Sequence, residues 1–126
     1  MASITLTPGE PTKDFANLDF TALSGLSTDP LKIPNDGRVQ VILMANTTLT
    51  GSIGIDIGTF LRIGTLSIES RDNTLTHTAS GIKLWFLGPL DPDLYNNADE
   101  EISMTMSFSE TADPAKMFAA AVRGGR

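Results

Sequence analysis

Apolar side chains recur at every second position in four stretches of this chain: Val39, Val41 and Leu43; Ile53, Ile55 and Ile57; Ile82, Leu84 and Phe86; and Ile102, Met104, Met106 and Phe108. A period of two is that of a half-buried strand, whose side chains point alternately to its two faces. The alternation and the turn residues between the runs predict strands over about residues 38–46, 51–57, 60–69, 74–79, 81–87 and 101–109. The sharpest turn signal is Pro34-Asn35-Asp36-Gly37, because Asn, Asp and Gly tolerate the positive φ of a tight reversal. Thr47-Thr48, Arg71-Asp72-Asn73 and Ser80-Gly81 mark further reversals, and a polar loop over 88–100 leads into the strand at 101. The expected core is Val39, Val41, Leu43, Ile53, Ile55, Ile57, Leu84, Phe86, Ile102, Met104 and Met106. About seven to eight short strands at this spacing predict an all-β fold, a single antiparallel β-sandwich.

The two ends read differently. Ile4 and Leu6 alternate once before Pro8 and Pro11, which remove backbone donors. The alternation reads as an edge strand or an extended arm; residues 1–12 are taken as an N-terminal arm, expected to be mobile until a neighbouring subunit orders it, and residues 13–126 as the sandwich domain. Residues 13–34 read as a long connection anchored by Phe15, Leu18, Phe20 and Leu23. At the far end Asp113 and Pro114 open a helix by their chemistry, and Ala119-Ala120-Ala121 suits one. Met117, Ala119, Ala121 and Arg123 also alternate as a strand would, so the segment 114–123 is open between strand and short helix.

Composition narrows the function classes. Hydrophobic residues at 40% and charged residues at 19% suit a folded domain rather than a disordered chain. A formal charge of -6 opposes binding to a phosphate backbone, so no nucleic-acid partner is expected. No run approaches the roughly 20 apolar residues of a membrane helix, and no membrane partner is expected. Met1 to Thr5 lacks the basic and then apolar plan of a secretory signal, which points to synthesis in the cytoplasm. Zero cysteines exclude disulfides and thiolate metal sites.

Candidate chemistry is sparse. His77, on a face with Leu75 and Ala79, has no neighbouring group spaced to orient it as a base, and reads as a half-buried or rim histidine. Asp91, Asp93, Asp99, Glu100 and Glu101, with Asn96 and Asn97, are dense in oxygen, but Tyr95 and the missing central Gly break the calcium-loop pattern. They read as a solvated acidic loop. Arg123-Gly124-Gly125-Arg126 is one copy of a basic motif on an acidic chain and reads as a tail. No catalytic, cofactor-binding or metal-binding residue is assigned, and no enzyme activity or cofactor is expected. Lys83 and Trp85 share one face with Leu87 while Ile82, Leu84 and Phe86 share the other, so this strand is apolar on both sides. It is either central between two layers or half of it meets a partner.

Four stretches together resemble small tailed-phage virion proteins of the capsid decoration or cement type: Ile33-Pro34-Asn35-Asp36-Gly37-Arg38 running into the strand at Val39 and then Ala45-Asn46-Thr47-Thr48, the strand Ile53 to Ile57, the hinge Leu87-Gly88-Pro89 to Asp99 with its Tyr95-Asn96 corner, and the closing Ala119-Ala120-Ala121-Val122-Arg123. The resemblance implies a β-sandwich on the exterior of an icosahedral capsid. It makes the major capsid protein the partner, with neighbouring copies or a homo-oligomer beside it. The contact residues expected on that reading are Ile4, Leu6, Trp85, Leu94 and Tyr95. The alternatives are a tail or adaptor component of the virion and a carbohydrate-binding sandwich; a single Trp and a single Tyr give the latter few rings for stacking.

Overall fold

A computed structural model describes residues 4–9, 19–24, 30–58, 73–78 and 81–124. Alternating stretches become strands: β1 (Ile4–Thr5), β2 (Thr21–Ala22), β3 (Leu31–Pro34), β4 (Val39–Ala45), β5 (Thr50–Ile57), β6 (Asn73–Thr78), β7 (Lys83–Leu87), β8 (Glu101–Phe108) and β9 (Met117–Arg123). They form two packed sheets, ordered β1-β3-β8-β5-β6 and β2-β9-β4-β7, which make an all-β sandwich. Every pairing between these strands is antiparallel except that of β1 with β3. The strand expected over 60–69 lies outside the described residues.

The core lies between the inward faces. Val39, Val41, Leu43 and Ala45 of β4 and Met117, Ala119 and Ala121 of β9 meet Ile53, Ile55 and Ile57 of β5 and Ile102, Met104 and Met106 of β8. Of the expected core, Leu84 and Phe86 are the exceptions, exposed at 45% and 66%. The strand β7 has the opposite phase, with Trp85 and Leu87 turned inward against the core cluster. Strand pairing sets this phase: Leu43 and Val41 are inward residues of β4, and opposite them stand Trp85 and Leu87. Leu84 and Phe86 are registered with the outward Met44 and Ile42.

The C-terminal segment satisfies both of its signals in turn. Asp113 caps a single 3-10 turn at Pro114–Lys116 by accepting from the Ala115 N–H, and the chain then extends as β9 in the interior of its sheet. The residues read as a mobile arm are docked where they are described. Ile4 and Thr5 pair with Leu31 and Lys32, Leu6 is buried and donates to the Lys32 carbonyl, and Gly9 bridges to Val122. Burial of Leu6 supplies apolar contact that the arm alone lacks. The connection expected over 13–34 contains β2 and, at its end, β3. Leu31 and Ile33 alternate inward there, and Pro34 is tolerated because it occupies the last position of the strand.

Two buried amides fix the loops. Asn35 donates to the Leu90 carbonyl (3.2 Å) and to Asn96 Oδ1 (2.8 Å), and Asn96 donates back to the Asn35 carbonyl (2.7 Å). This joins the 34–38 turn to the loop over 88–100, which includes the one-turn helix α1 (Pro92–Tyr95) capped by Asp91. Gly37 takes φ 93°, as its turn requires. Next to it, the Arg38 backbone N–H and then the Arg123 guanidinium hold the Asp36 carboxyl below its usual range. Arg123 Nε lies 2.9 Å from Asp36 Oδ2 and ties the end of β9 to the turn.

Candidate functional site

The two outward faces of the sandwich differ in chemistry. On the five-stranded sheet the outward residues are Ser52, Gly54 and Asp56 of β5, Thr74, Thr76 and Thr78 of β6, Ser103, Thr105 and Ser107 of β8, and Lys32 of β3; the cross-strand register sets them side by side. Hydroxyls dominate this face, exposed at Thr74, Thr76, Thr78 and Ser107 and half-buried at Ser52, Ser103 and Thr105. On the four-stranded sheet the outward residues are Ile42 and Met44 of β4, Phe118, Ala120 and Val122 of β9, and Leu84 and Phe86 of β7, with Gln40 at one end. This second face is a continuous apolar surface, buried at Ala120, half-buried at Ile42, Met44, Phe118 and Val122 and open along β7. Ile82, just before β7, continues the open edge at 65% exposure, beside Leu84 and Phe86.

Single exposed apolar residues are ordinary; contiguous ones mark interaction surfaces. Both long strands behind this face carry the signal in their sequence. Val41 to Ala45 and Met117 to Val122 are unbroken apolar runs, so each strand presents apolar side chains to both sides. The mean position of these strands, interior to the sheet, explains the inward half. The outward half is only partly covered: Ala120 is buried, Ile42, Met44, Phe118 and Val122 are half-buried, and the face opens fully along β7.

The contact residues expected from sequence fall elsewhere. Leu6 and Tyr95 are buried, Ile4 and Leu94 are half-buried against the core, and Trp85 turns inward. Trp85 stands edge-on to His77, with ring centroids 6.5 Å apart at 76°, and Lys83 Nζ lies 5.6 Å from its centroid. The five do not share an element: they belong to β1 and the residue after it, β7 and α1. What sequence reasoning missed was the phase of β7, which moves Leu84 and Phe86 from the expected core to the surface, beside the exposed Ile82.

The polar candidates resolve into structural roles. His77 is buried, with Nδ1 2.6 Å from the Leu49 carbonyl and Nε2 2.7 Å from the Gly81 carbonyl. The ring bridges these two carbonyls and so ties β6 to the residues before β5 and before β7. In the acidic loop, Asp91 accepts from the Asp93 N–H, Asn97 from the N–H groups of Asp99 and Glu101. Among the described residues no three His, Asp or Glu side chains stand together as a metal site. A cavity of about 130 Å³ between the sheets, lined by Val41, Leu43, Ile55, Leu75, Trp85 and Met104 among others, is apolar and smaller than the roughly 300 Å³ at which ligand pockets begin.

Comparison of the chain with protein-family models, with curated proteins and with solved structures gave no match.

Proposed function

We propose that this chain is a structural virion protein that docks on the outer surface of an icosahedral phage capsid through the apolar outward face of its four-stranded sheet, bracing the joints between capsomers without catalysing a reaction. The observation that supports docking is the contrast between the two faces: a hydroxyl-covered surface on β5, β6 and β8, and an apolar one on β4, β7 and β9. A sandwich built to be solvated all round would alternate inward-apolar and outward-polar on both sheets. Only one sheet here does so. The phage setting, with the major capsid protein as partner, rests on the resemblance over residues 33–123.

The energetics fit a numerous, individually weak contact. A ligand that binds the assembled shell and not its dissociated parts stabilises the shell with the logarithm of its occupancy. Trp85 turned toward the core offers no open indole for a sugar ring, which favours docking over carbohydrate binding. The test is cosedimentation with purified capsids of the source phage. Met44→Lys and Phe118→Lys, on the apolar face, are expected to lower the bound fraction by about tenfold, as burying an unpaired charge does. Thr76→Lys, on the hydroxyl face, is expected to bind as the parent does. Equal loss for all three variants, or no binding by the parent, contradicts the reading.

A further inference from the structure

We propose that two copies of this chain pair through the free edge of β7, antiparallel and about a two-fold axis at Leu84, joining their four-stranded sheets into one eight-stranded sheet. The proposal concerns the chain's own copies and holds whatever surface its apolar face docks on.

The backbone supplies the first argument. Asn46 donates to the Lys116 carbonyl and Gly124 to the Arg38 carbonyl, and both pairs continue the β4–β9 register. Even-numbered residues of β4 therefore bond to β9, and odd-numbered ones, Val41, Leu43 and Ala45, bond to β7. Their partners in β7 are Leu87, Trp85 and Lys83. The N–H and C=O groups of Ile82, Leu84 and Phe86 consequently point away from β4, and among the described strands β7 is the last in its order. An unpaired edge is a template for another strand. These same three residues carry the exposed apolar side chains, at 65%, 45% and 66%.

The second argument is self-complementarity. Placing Leu84 on a two-fold axis sets it opposite Leu84 of the second copy and sets Ile82 opposite Phe86. In that register the outward-pointing backbone groups are the ones that meet, giving six inter-chain hydrogen bonds of the antiparallel kind, two at Leu84 and four at the Ile82 and Phe86 pairs. Lys83 comes opposite Trp85 of the second copy, extending the cation and ring contact that each copy already makes internally at 5.6 Å. The chain's charge of -6 opposes association in general, yet Lys83 is the single charged residue between Gly81 and Leu90, so the edge itself carries no acid. The pairing is isologous, the commonest symmetry of soluble oligomers.

Area sets the strength. Taking about 200 Å² for a fully exposed large apolar side chain, the three residues of two copies offer at most roughly 700 Å², about half of a standard stable interface. The dimer is therefore concentration-dependent: dissociated at low micromolar concentration and formed where copies are crowded.

Sedimentation velocity of the full chain from about 1 to 500 μM is expected to show monomer giving way to dimer. Leu84→Lys puts two ammonium groups face to face on the axis and is expected to raise the dissociation constant about tenfold or more. Ile82→Glu and Phe86→Lys should each weaken the dimer, whereas the double variant restores it, since position 82 of one copy faces position 86 of the other. Within one strand those positions are about 13 Å apart, too far for the introduced charges to pair in the monomer. All three sites are exposed, and a melting temperature within a few degrees of the parent confirms that each variant folds. Monomer at every concentration overturns the proposal, as does a dimer indifferent to Leu84→Lys or a double variant no tighter than the singles. No capsid enters the experiment, so its failure leaves the docking reading standing.

Discussion

Asn35 and Asn96 are amides where a sandwich of this size would more often bury hydrocarbon. Each finds its partners in the other: the Asn35 Nδ2 to Asn96 Oδ1 and Asn96 Nδ2 to Asn35 carbonyl bonds close a reciprocal pair. A buried polar group so paired costs little, while one left unpaired costs about 1–3 kcal/mol. Asn96→Ala strands the Asn35 carbonyl and loosens the joint between the 34–38 turn and the loop before β8. We expect that variant to lose about 1–3 kcal/mol of stability. Chemical denaturation reads this directly; a midpoint equal to the parent's would show that water replaces the pair. From the sequence, the turn at Asn35-Asp36-Gly37 was legible because Gly37 needs its positive φ. The pairing with Asn96, 61 residues away, was not, since nothing in a local pattern says which buried amide meets which.

At the scale of elements, the inward faces of β4, β5 and β8 follow directly from alternation, because their inward positions are apolar and mostly large. β7 follows from something else. Ile82-Lys83-Leu84-Trp85-Phe86-Leu87 is apolar on both faces, so period alone gives its existence and not its phase. Pairing with β4 decides it, and that is a long-range fact. The same holds for β3, where the prolines flanking Leu31-Lys32-Ile33 obscured a short alternation, and for Pro114–Lys116, where the helix chemistry is real but lasts one turn. The phase of β7 has a sharp mutational signature. Trp85→Ala should cost about 2 kcal/mol or more, as removal of a half-buried ring against the core does. Leu84→Ala should cost under about 0.5 kcal/mol, because its side chain faces solvent. Thermal melting distinguishes the two; a larger loss at Leu84 than at Trp85 would restore the opposite phase.

At the scale of the whole molecule, the sandwich is two-sided. Its five-stranded sheet ends in hydroxyls and its four-stranded sheet in hydrocarbon, although the same core lies beneath both. Unbroken apolar runs in β4 and β9 announced this asymmetry in the sequence, but a run apolar on both sides reads equally well as a strand between two layers. Exposure separates the two readings, and it belongs to the fold. On the proposed function, the hydrocarbon face is where this protein meets its partner. Met44 lies on that face, half-buried, whereas Met104, Met106 and Met117 are in the core. Thioether oxidation follows access of the oxidant, so limited peroxide treatment followed by mass spectrometry reads each methionine separately. Met44 is expected to oxidise faster than the three core methionines in the free chain and to be protected about tenfold or more when the chain is bound to capsids. An oxidation rate at Met44 that is the same free and bound would contradict it.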